Sequence, residues 1–369
     1  MNKMIKNENG MALVVTLAVV GVLLAAGLWL AKFTGDAAMA TLAEKDRFQA
    51  EQLAISGIEI AKLILVEDAA ENNTDSVQDI WADPELLSRT VAALGIEKGA
   101  LTIRITDELS KIQMNALIRQ FPGSEPNHDQ VKLWERFLGN GQKEDKQKDD
   151  AGPLERVNAL KDWLDSEDDG AITGLFGAET DYYKELAPPY VCADGPFNQV
   201  EELLNVKGFE GYRIKKRIDP LSGENQEGKG LEDVFTVYGL ENNPGPGGGY
   251  RYPGLININT AGIELLSALL PEGMEILARD LADFRKEKSE NKKGYLHVLD
   301  KGWYKNVINL PAKEQERLNR IIRYSSHIYK IESRARKNSS FTTLIAFLIR
   351  EKNKISGQWN CRVIQMKRE

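Results

Sequence analysis

Residues 11–31 read MALVVTLAVVGVLLAAGLWLA, and this uncharged run decides how the rest of the chain must be organised. Thr16 is its one polar side chain. About 20 apolar residues are enough for a helix to cross the hydrocarbon core of a membrane. Lys3 and Lys6 precede the run, and positive charge favours the cytoplasmic side. The sequence therefore predicts one transmembrane helix over 11–31, with a cytoplasmic N-terminus and an exported remainder.

The helical pattern continues beyond this run. Apolar or small residues recur with a 3.6-residue period, and no proline occurs before Pro84. One helix over 11–66 would be roughly 80 Å long. Its first half is apolar all round, whereas its second half is amphipathic, and we expect the apolar stripe to face partner subunits. The stripe consists of Ala50, Leu53, Ala54, Gly57, Ile58, Ala61 and Leu65.

Composition restricts the classes of function. The 369 residues include 48 Lys and Arg against 55 Asp and Glu, a net charge of −7, which argues against nucleic-acid binding and permits cation binding. The sequence contains no HExxH, GxSxG or phosphate-cradling GxxxxGK[ST] motif, so it indicates no enzyme. Cys192 and Cys361 are the only cysteines, and their separation along the chain leaves a disulfide between them open.

A charged leader ends in Gly10 immediately ahead of the apolar helix. This arrangement resembles the class III signal of type IV pilins and type II secretion pseudopilins. The resemblance implies that a prepilin peptidase cuts after Gly10 and that Met11 becomes the methylated N-terminus. An uncut anchor is one alternative. The other is a cleaved secretory signal with Ala38-Met39-Ala40 as its site, although the apolar run is long for such a signal.

The remaining pattern predicts an α+β fold. LTIRIT at 101–106 alternates like a strand with one buried face, and 326–333, 341–349 and 359–365 are three further β-rich runs joined by short turns. Between them lies a mainly helical block interrupted by NNPGPGGGYRYPG at 242–254. We therefore predict a long N-terminal helix packed on an antiparallel sheet, with a large α-helical domain inserted between the strands.

Several motifs in order along the chain resemble the minor pseudopilin K family of type II secretion systems. They are DELSKIQMNAL at 107–117, DWLD at 162–165, GAETDYY at 177–183, PPY at 188–190, FNQVEEL at 197–203 and ININTA at 256–261. Together with the leader they divide the chain into a leader 1–10, a transmembrane helix 11–31, a pilin-like part 32–111, an inserted helical domain 112–325 and C-terminal strands 326–369.

The resemblance implies a location and a set of partners. The protein would sit in the bacterial inner membrane with its globular part in the periplasm. It would form the tip of the pseudopilus with the smaller I-type and J-type minor pseudopilins and support protein export across the outer membrane. It would also meet the major pseudopilin, the inner-membrane assembly platform and prepilin peptidase, and its globular region would bind calcium.

Position five of the predicted mature chain is Val15, where major pilins and most pseudopilins carry glutamate. A carboxylate there can neutralise the N-terminal ammonium of a neighbouring subunit within an apolar bundle, where an unpaired charge is costly. A subunit with no neighbour ahead of it has no such ammonium to pair. Val15 therefore fits the tip position, and it fits an ordinary membrane anchor equally well.

An acidic stretch is the candidate calcium site. Carboxylates are dense between 165 and 181, on a loop interrupted by glycine, and calcium takes six to eight oxygen ligands. The spacing is not that of an EF-hand, and a solvated acidic loop is the alternative. The candidate ligands are Asp165, Glu167, Asp168, Glu179 and Asp181.

Two stretches, 256–285 and 197–217, resemble helix-hairpin-helix or SAM-like units. Thr260 is the expected cap of the first helix of the later unit. Such units bind DNA in other proteins, so a membrane-anchored DNA receptor is the alternative function. Glu272 lies in the turn where backbone N–H groups would meet phosphate, and this acid favours packing or protein recognition instead.

Overall fold

The computed structural model describes residues 8–95, 99–141, 152–166, 172–174, 176–212, 230–242, 248–289 and 294–369. Helices and strands are numbered below in chain order.

Helix α1 spans Glu8–Glu71 without a break, which confirms the prediction of one continuous helix. In the part of the chain that the structure describes, it is the one helix long and apolar enough to cross a membrane. From Gly10 to Gln49 the side chains are exposed, apart from the half-buried Asp46. From Ala50 onwards one face of the helix is buried. The helix thus has a projecting half and a packed half.

The packed half of α1 lies on a four-stranded antiparallel sheet with the order β1-β8-β9-β10. Its strands are β1 (Ala100–Asp107), β8 (Ile328–Lys337), β9 (Ser340–Lys352) and β10 (Trp359–Arg368). All four predicted strands are therefore present. Asn338 adopts φ 50° in the turn between β8 and β9, a left-handed conformation that asparagine tolerates better than most residues. Along the chain, α2 (Pro84–Ala93) lies between α1 and β1. Asp83 caps its N-terminus, since its carboxylate accepts the N–H groups of Glu85 and Leu86.

Gly57 lets the helix and the sheet approach closely. A Cβ atom at this position would lie 2.1 Å from the Ser333 hydroxyl oxygen on β8, so no larger residue fits without a shift. The core around it is apolar and contains side chains from α1, α2 and the sheet: Ala54, Ile58, Ala61, Leu65, Trp81, Leu87, Ile103, Ile105, Tyr329, Ile331 and Leu348.

The chain between β1 and β8 forms the insertion, which has its own core. Its helices are α3 (His128–Gly141), α4 (Pro153–Leu164), α5 (Thr180–Lys184), α6 (Ile263–Leu269), α7 (Leu277–Lys286) and α8 (Ala312–Ile321). Short strands pair within the insertion: β2 (Ile112–Gln113) with β3 (Phe235–Thr236), β4 (Glu241–Asn242) with β5 (Tyr250–Arg251), and β6 (Ile256–Asn257) with β7 (Ile322–Arg323). Aromatic pairs such as Trp134 stacked on Phe235 fill this core.

One expectation about the insertion is wrong, and the question of a disulfide, which the sequence leaves open, is answered. Helix α6 is capped by Gly262, and the Thr260 hydroxyl instead donates to Asp107 at 2.5 Å. The cysteines are free thiols, because Cys192 lies in the core of the insertion and Cys361 in the core under α1. Burial raises the pKa of the Cys361 thiol to about 11, so it behaves as a small apolar side chain.

A buried polar network joins the insertion to the sheet. The guanidinium of Arg350 donates to both carboxylate oxygens of Asp75 at 2.6 and 2.7 Å and to Asp68 at 3.1 Å. Asp75 also accepts the Ser326 backbone N–H and the Tyr329 hydroxyl, each at 2.7 Å. The segment after α1, the return from the insertion and β9 are thereby fixed to one another.

Asp107 anchors the same junction from the end of β1. Its side chain accepts hydrogen bonds from Asn257 at 2.9 Å, Thr260 at 2.5 Å and Ser326 at 2.6 Å. Burial raises the pKa of the Asp107 carboxyl to about 6, although these three donors act in the opposite direction.

The insertion also covers the face of the sheet opposite α1. Glu232 accepts from Lys330 on β8 at 2.9 Å and from Lys367 on β10 at 3.1 Å. The ring of Tyr238 packs on Phe347 of β9, with centroids 4.3 Å apart. Both faces of the sheet are therefore contacted by this chain's own residues, although Phe341 and Met366 are exposed.

Candidate functional site

More than half of the large apolar side chains that are exposed in the described chain lie on the projecting half of α1. Gly10 and Met11, the predicted cleavage and methylation positions, lie in its first turns, and the Met11 side chain is 71% exposed. Val15 is also exposed. Trp29 stacks on Phe33 at 5.6 Å near the end of the membrane run, where aromatic side chains favour the membrane interface. Among the described residues, Asn338 in the β8–β9 turn contacts Asp46 near the end of this half, and residues 10–45 are left exposed.

The structure corrects the prediction that the stripe on the packed half faces partner subunits. Ala50, Ala54, Gly57, Ile58, Ala61 and Leu65 are buried, and Leu53 is half-buried. The periodicity correctly indicates a buried face, but the sheet of the same chain covers it. Exposed apolar residues that a partner could contact lie nearer the N-terminus of α1, at Met39, Leu42 and Phe48.

The acidic candidate site is organised by Asp162, a residue that the prediction did not include among the ligands. This fully buried side chain accepts the Thr173 N–H at 3.0 Å and the Ala178 N–H at 2.8 Å. Gly177 permits the close approach, since a Cβ atom there would lie 2.1 Å from an Asp162 oxygen. The chain therefore folds back so that Glu179 lies beside the end of α4.

Two of the five predicted ligands come together around Asp162. One carboxylate oxygen each from Asp162, Asp165 and Glu179 lie within 4.8 Å of one another, and Glu179 forms a similar group with Cys192 and Asp194. Asp181 is not part of either group: its side chain is 98% exposed and lies 3.8 Å from Lys184. Glu167 and Asp168 lie outside the described residues.

These donors fit a hard divalent cation. Carboxylate oxygens are the ligands that calcium prefers, and a cation would offset the repulsion between carboxylates this close together. Asp162 and Asp165 are three residues apart at the end of α4, a spacing that places both on one helix face and could have indicated the pair. The role of Asp194, far along the chain, has no comparable signal in the sequence.

Lys207 fixes the loop that carries Glu179. Its ammonium lies 4.5 Å from the ring centroids of both Phe176 and Tyr182 and donates to the Gly177 carbonyl oxygen at 3.4 Å. Cation–π contacts on both sides hold this segment against the turn that follows the 3₁₀ helix Val200–Asn205.

A third acidic group, formed by Asp68, Asp75 and Asp79, meets a cation of the protein itself. The Arg350 guanidinium forms ion pairs with Asp75 and Asp68, so the positive charge beside these carboxylates comes from the protein's own arginine. Burial, followed by the charge of Asp68, raises the pKa of Asp79 to about 7.

The structure contains the helix-turn-helix arrangement expected from the helix-hairpin-helix resemblance in the later of the two stretches. Helices α6 and α7 flank a turn with Glu272 and with Gly273 at φ 86°, and Arg285 donates to the Ile258 and Ala261 carbonyl oxygens at 2.7 and 2.9 Å. In the earlier stretch the described part has a 3₁₀ helix, Val200–Asn205, and the basic residues 215–217 lie outside the described residues.

Comparison with known proteins identifies relatives. Residues 110–220 match the family model of type II secretion system protein K. The curated protein K of Aeromonas hydrophila is 26% identical over 196 residues, which are 51% of this chain and 55% of that protein. The protein K of Pectobacterium carotovorum subsp. carotovorum is 25% identical over 221 residues, 57% of this chain and 61% of that protein. The chain thus spans a little over half the length of these relatives.

A solved structure supports the fold. A chain of the GspK-GspI-GspJ complex from the type 2 secretion system of enterotoxigenic Escherichia coli aligns with a TM-score of 0.56 and 15% identity. The alignment covers 89% of this chain and 99% of that chain. The predicted α+β fold and the resemblance to protein K are therefore confirmed, and no comparison favours the nucleic-acid alternative.

Proposed function

We propose that this chain, which is similar to protein K of type II secretion systems, is a minor pseudopilin that forms the tip of the periplasmic pseudopilus. It would assemble with I-type and J-type minor pseudopilins and support protein export across the outer membrane. The solved complex joins three such proteins, GspK, GspI and GspJ, and we transfer that association to this chain as part of the proposal. The role is structural and not catalytic.

The division of α1 is the observation that carries this function. Its projecting half offers apolar side chains for a membrane and then for a bundle of similar helices, whereas its packed half belongs to the sheet. The insertion leaves the sheet at the C-terminal end of β1 and adds a second hydrophobic core beside the sheet. A globular part of this size is hard to repeat along a narrow filament. This supports placement of the protein at the tip of the filament.

The same proposal includes processing and orientation. Cleavage after Gly10 would leave Met11 first, with the globular part in the periplasm. The exposed start of α1 leaves this peptide bond accessible to a peptidase in the membrane. We expect mass spectrometry of the mature protein to find methylated Met11, and Gly10→Leu to block maturation without blocking membrane insertion. Retention of Met1 beside an active prepilin peptidase would contradict the assignment.

Calcium binding is the third part of the proposal. Asp162, Asp165 and Glu179 would hold the ion, with Asp194 and Cys192 next to Glu179. The ion would neutralise the buried carboxylates and fix the loop after α4 to the end of that helix. The chain's own residues supply the framework, since backbone N–H groups and Lys207 already position the loop.

Co-purification tests the tip assignment. Phe48 is 61% exposed on α1, just before the packed half, so a charge there leaves the fold intact but enters any apolar contact with partner helices. We expect Phe48→Lys to reduce recovery of I-type and J-type minor pseudopilins at least tenfold. Ile355→Lys, at a 99% exposed position in the β9–β10 turn, is the matched control and keeps normal recovery.

Immunogold labelling gives the independent readout for placement. The native protein should occur once per filament, at one end. Labelling along the whole length of filaments would show that it is an ordinary repeating subunit.

A further inference from the structure

Helices α3 and α8 of the insertion pack side by side with a surplus of positive charge. The electrostatic interactions within and between these two helices involve four cations and three carboxylates among the described side chains. The cations are Lys132, Arg136, Arg317 and Arg320, and the carboxylates are Asp129, Glu314 and Glu316. This local surplus contrasts with the net charge of −7 of the whole chain.

The carboxylates do not satisfy these cations evenly. Arg320 takes both oxygens of Asp129, at 2.8 and 2.9 Å, in a two-pronged ion pair. Arg136 and Arg317 are left to share one oxygen, Oε2 of Glu314, at 3.2 and 3.1 Å. Within the part of the chain that the structure describes, these two guanidinium groups therefore share a single acceptor atom.

Three guanidinium nitrogens of these two arginines are buried and have no hydrogen-bond acceptor among the described residues: Arg136 Nη1, Arg317 Nε and Arg317 Nη2. The Arg317 side chain is only 5% exposed. Burial, followed by the positive charge of Arg136, lowers the pKa of Arg317, so the environment penalises its charge. Native proteins satisfy nearly all buried donors, and a group of unsatisfied ones commonly indicates a bound ion or water.

An oxyanion supplies what the seam lacks. A sulfate, phosphate or carboxylate group offers several acceptor oxygens and a negative charge, and the planar guanidinium fork matches its geometry. Water would supply an acceptor but leave the surplus charge uncompensated. Arg136 and Glu314 are 22% and 29% exposed, so the seam can be approached from solvent at this end.

We propose that the α3–α8 seam is a binding site for one oxyanion group, held by Arg136 and Arg317, with Glu314 as the internal group that competes for them. This inference is independent of the tip assignment and of calcium. It gives the insertion a recognition site of its own for an inorganic anion or for an acidic side chain of another protein.

Thermal unfolding of the full chain in detergent micelles tests the site. Sodium sulfate at about 10 mM, compared with sodium chloride at matched ionic strength, should raise the unfolding midpoint by about 3 °C. Sulfate also stabilises proteins nonspecifically, so the decisive quantity is the difference between variants. Arg136→Gln should lose the specific part of the rise. Arg119→Gln, at an exposed arginine of the same insertion that pairs with Glu125 at 3.3 Å, should keep it.

Glu314→Gln separates an anion site from a purely structural ion triad. Without the carboxylate the two arginines repel each other, so the midpoint falls in chloride. If the seam binds an oxyanion, sulfate reverses most of this loss and its effect is larger than in the wild type. If Glu314→Gln loses the same stability in both salts, or Arg136→Gln responds to sulfate as the wild type does, the proposal is wrong.

A further arm identifies the source of the anion. An acetylated, amidated tri-aspartate peptide replaces sulfate, with a tri-asparagine peptide as its neutral control. A larger Arg136-dependent shift with tri-aspartate than with sulfate assigns the site to an acidic side chain of a partner. A larger shift with sulfate assigns it to a free inorganic anion, and no Arg136-dependent shift with either probe overturns the site.

Discussion

Asp162 shows how one buried side chain can build a site from residues that the sequence keeps apart. Its carboxylate receives two backbone N–H groups from the chain that follows α4, and Glu179 comes to lie beside Asp165 as a result. Carboxylate density alone predicts an acidic loop, and it does not tell the inward-facing acids from the outward-facing ones. Asp181 belongs to the dense stretch and still lies in solvent.

The calcium proposal makes a prediction at this scale. A cation that binds the folded chain and not the unfolded one raises the unfolding midpoint. We expect 1 mM calcium to raise the midpoint of the full chain by several degrees over chelator. The double substitution Asp165→Asn with Glu179→Gln should remove this response, because it takes away two of the three converging charges.

Asp181→Asn is the matched control, since it also removes a charge from the acidic stretch but at an exposed position. It should leave the response to calcium unchanged. If the double variant responds to calcium as the wild type does, the converging carboxylates are not the binding site.

Among the elements, α1 and the sheet follow their sequence patterns closely. A 3.6-residue period and the absence of proline predict the helix, and alternation predicts β1. What covers an apolar face is a tertiary question that periodicity does not answer, and for this reason the stripe was wrongly assigned to partner subunits. The short parallel pairs leave no local signal, because β2 and β3 pair Ile112 with Phe235, and β6 and β7 pair Ile256 with Ile322.

The corrected role of the stripe makes a prediction about α1. Ile58 is 3% exposed against the sheet, whereas Leu63, five positions further along the helix, is 69% exposed. Ile58→Lys should destabilise the fold by about 4 kcal/mol, because it buries an unpaired charge and removes apolar contacts. Leu63→Lys should change the free energy of unfolding by no more than about 0.5 kcal/mol.

Chemical denaturation of the two variants followed by near-ultraviolet circular dichroism distinguishes these outcomes. Equal stability of the two variants would mean that the stripe is not packed on the sheet in solution and would return it to the candidates for partner contact.

For the whole molecule, the junction between sheet and insertion makes stability depend on pH. The pKa of Asp79 is raised to about 7 and that of Asp107 to about 6, each mainly by burial. A carboxyl group whose pKa is higher in the folded than in the unfolded chain destabilises the fold once it ionises. Asp68 and Asp75 face Asp79, and their charges oppose its ionisation further. Stability should therefore rise as the pH falls from 8 to 6.5.

His327 acts in the opposite sense below this range. Burial, followed by the charges of Arg323 and Arg350, lowers its pKa to about 4, so the unfolded chain takes up this proton first as the pH falls through 6.5. The loss from His327 then offsets the gain from Asp107, whereas the gain from Asp79 continues, because its carboxyl stays ionised in the unfolded chain down to about pH 4. We expect the unfolding midpoint to rise from pH 8 to 6.5 and to continue rising to about pH 5.

Two variants check the assignment. Asp79→Asn should flatten the rise between pH 8 and 6.5, and His327→Gln should make the rise between pH 6.5 and 5 steeper. If the wild-type midpoint falls steadily from pH 8 to 6.5, the raised pKa values at the junction are wrong.

The register of β1 with β8 has a consequence for how such a chain can arise. Asp107 at the end of β1 is the strand partner of Tyr329 near the start of β8, so the insertion leaves and returns one strand spacing apart. Topologically it occupies the place of a hairpin turn. A tight turn at this position would connect the same two strands. The sheet can therefore accept a longer connection here without any change in strand order. Gene-level enlargement of one loop is thus a sufficient route from a small helix-and-sheet ancestor to this two-core protein.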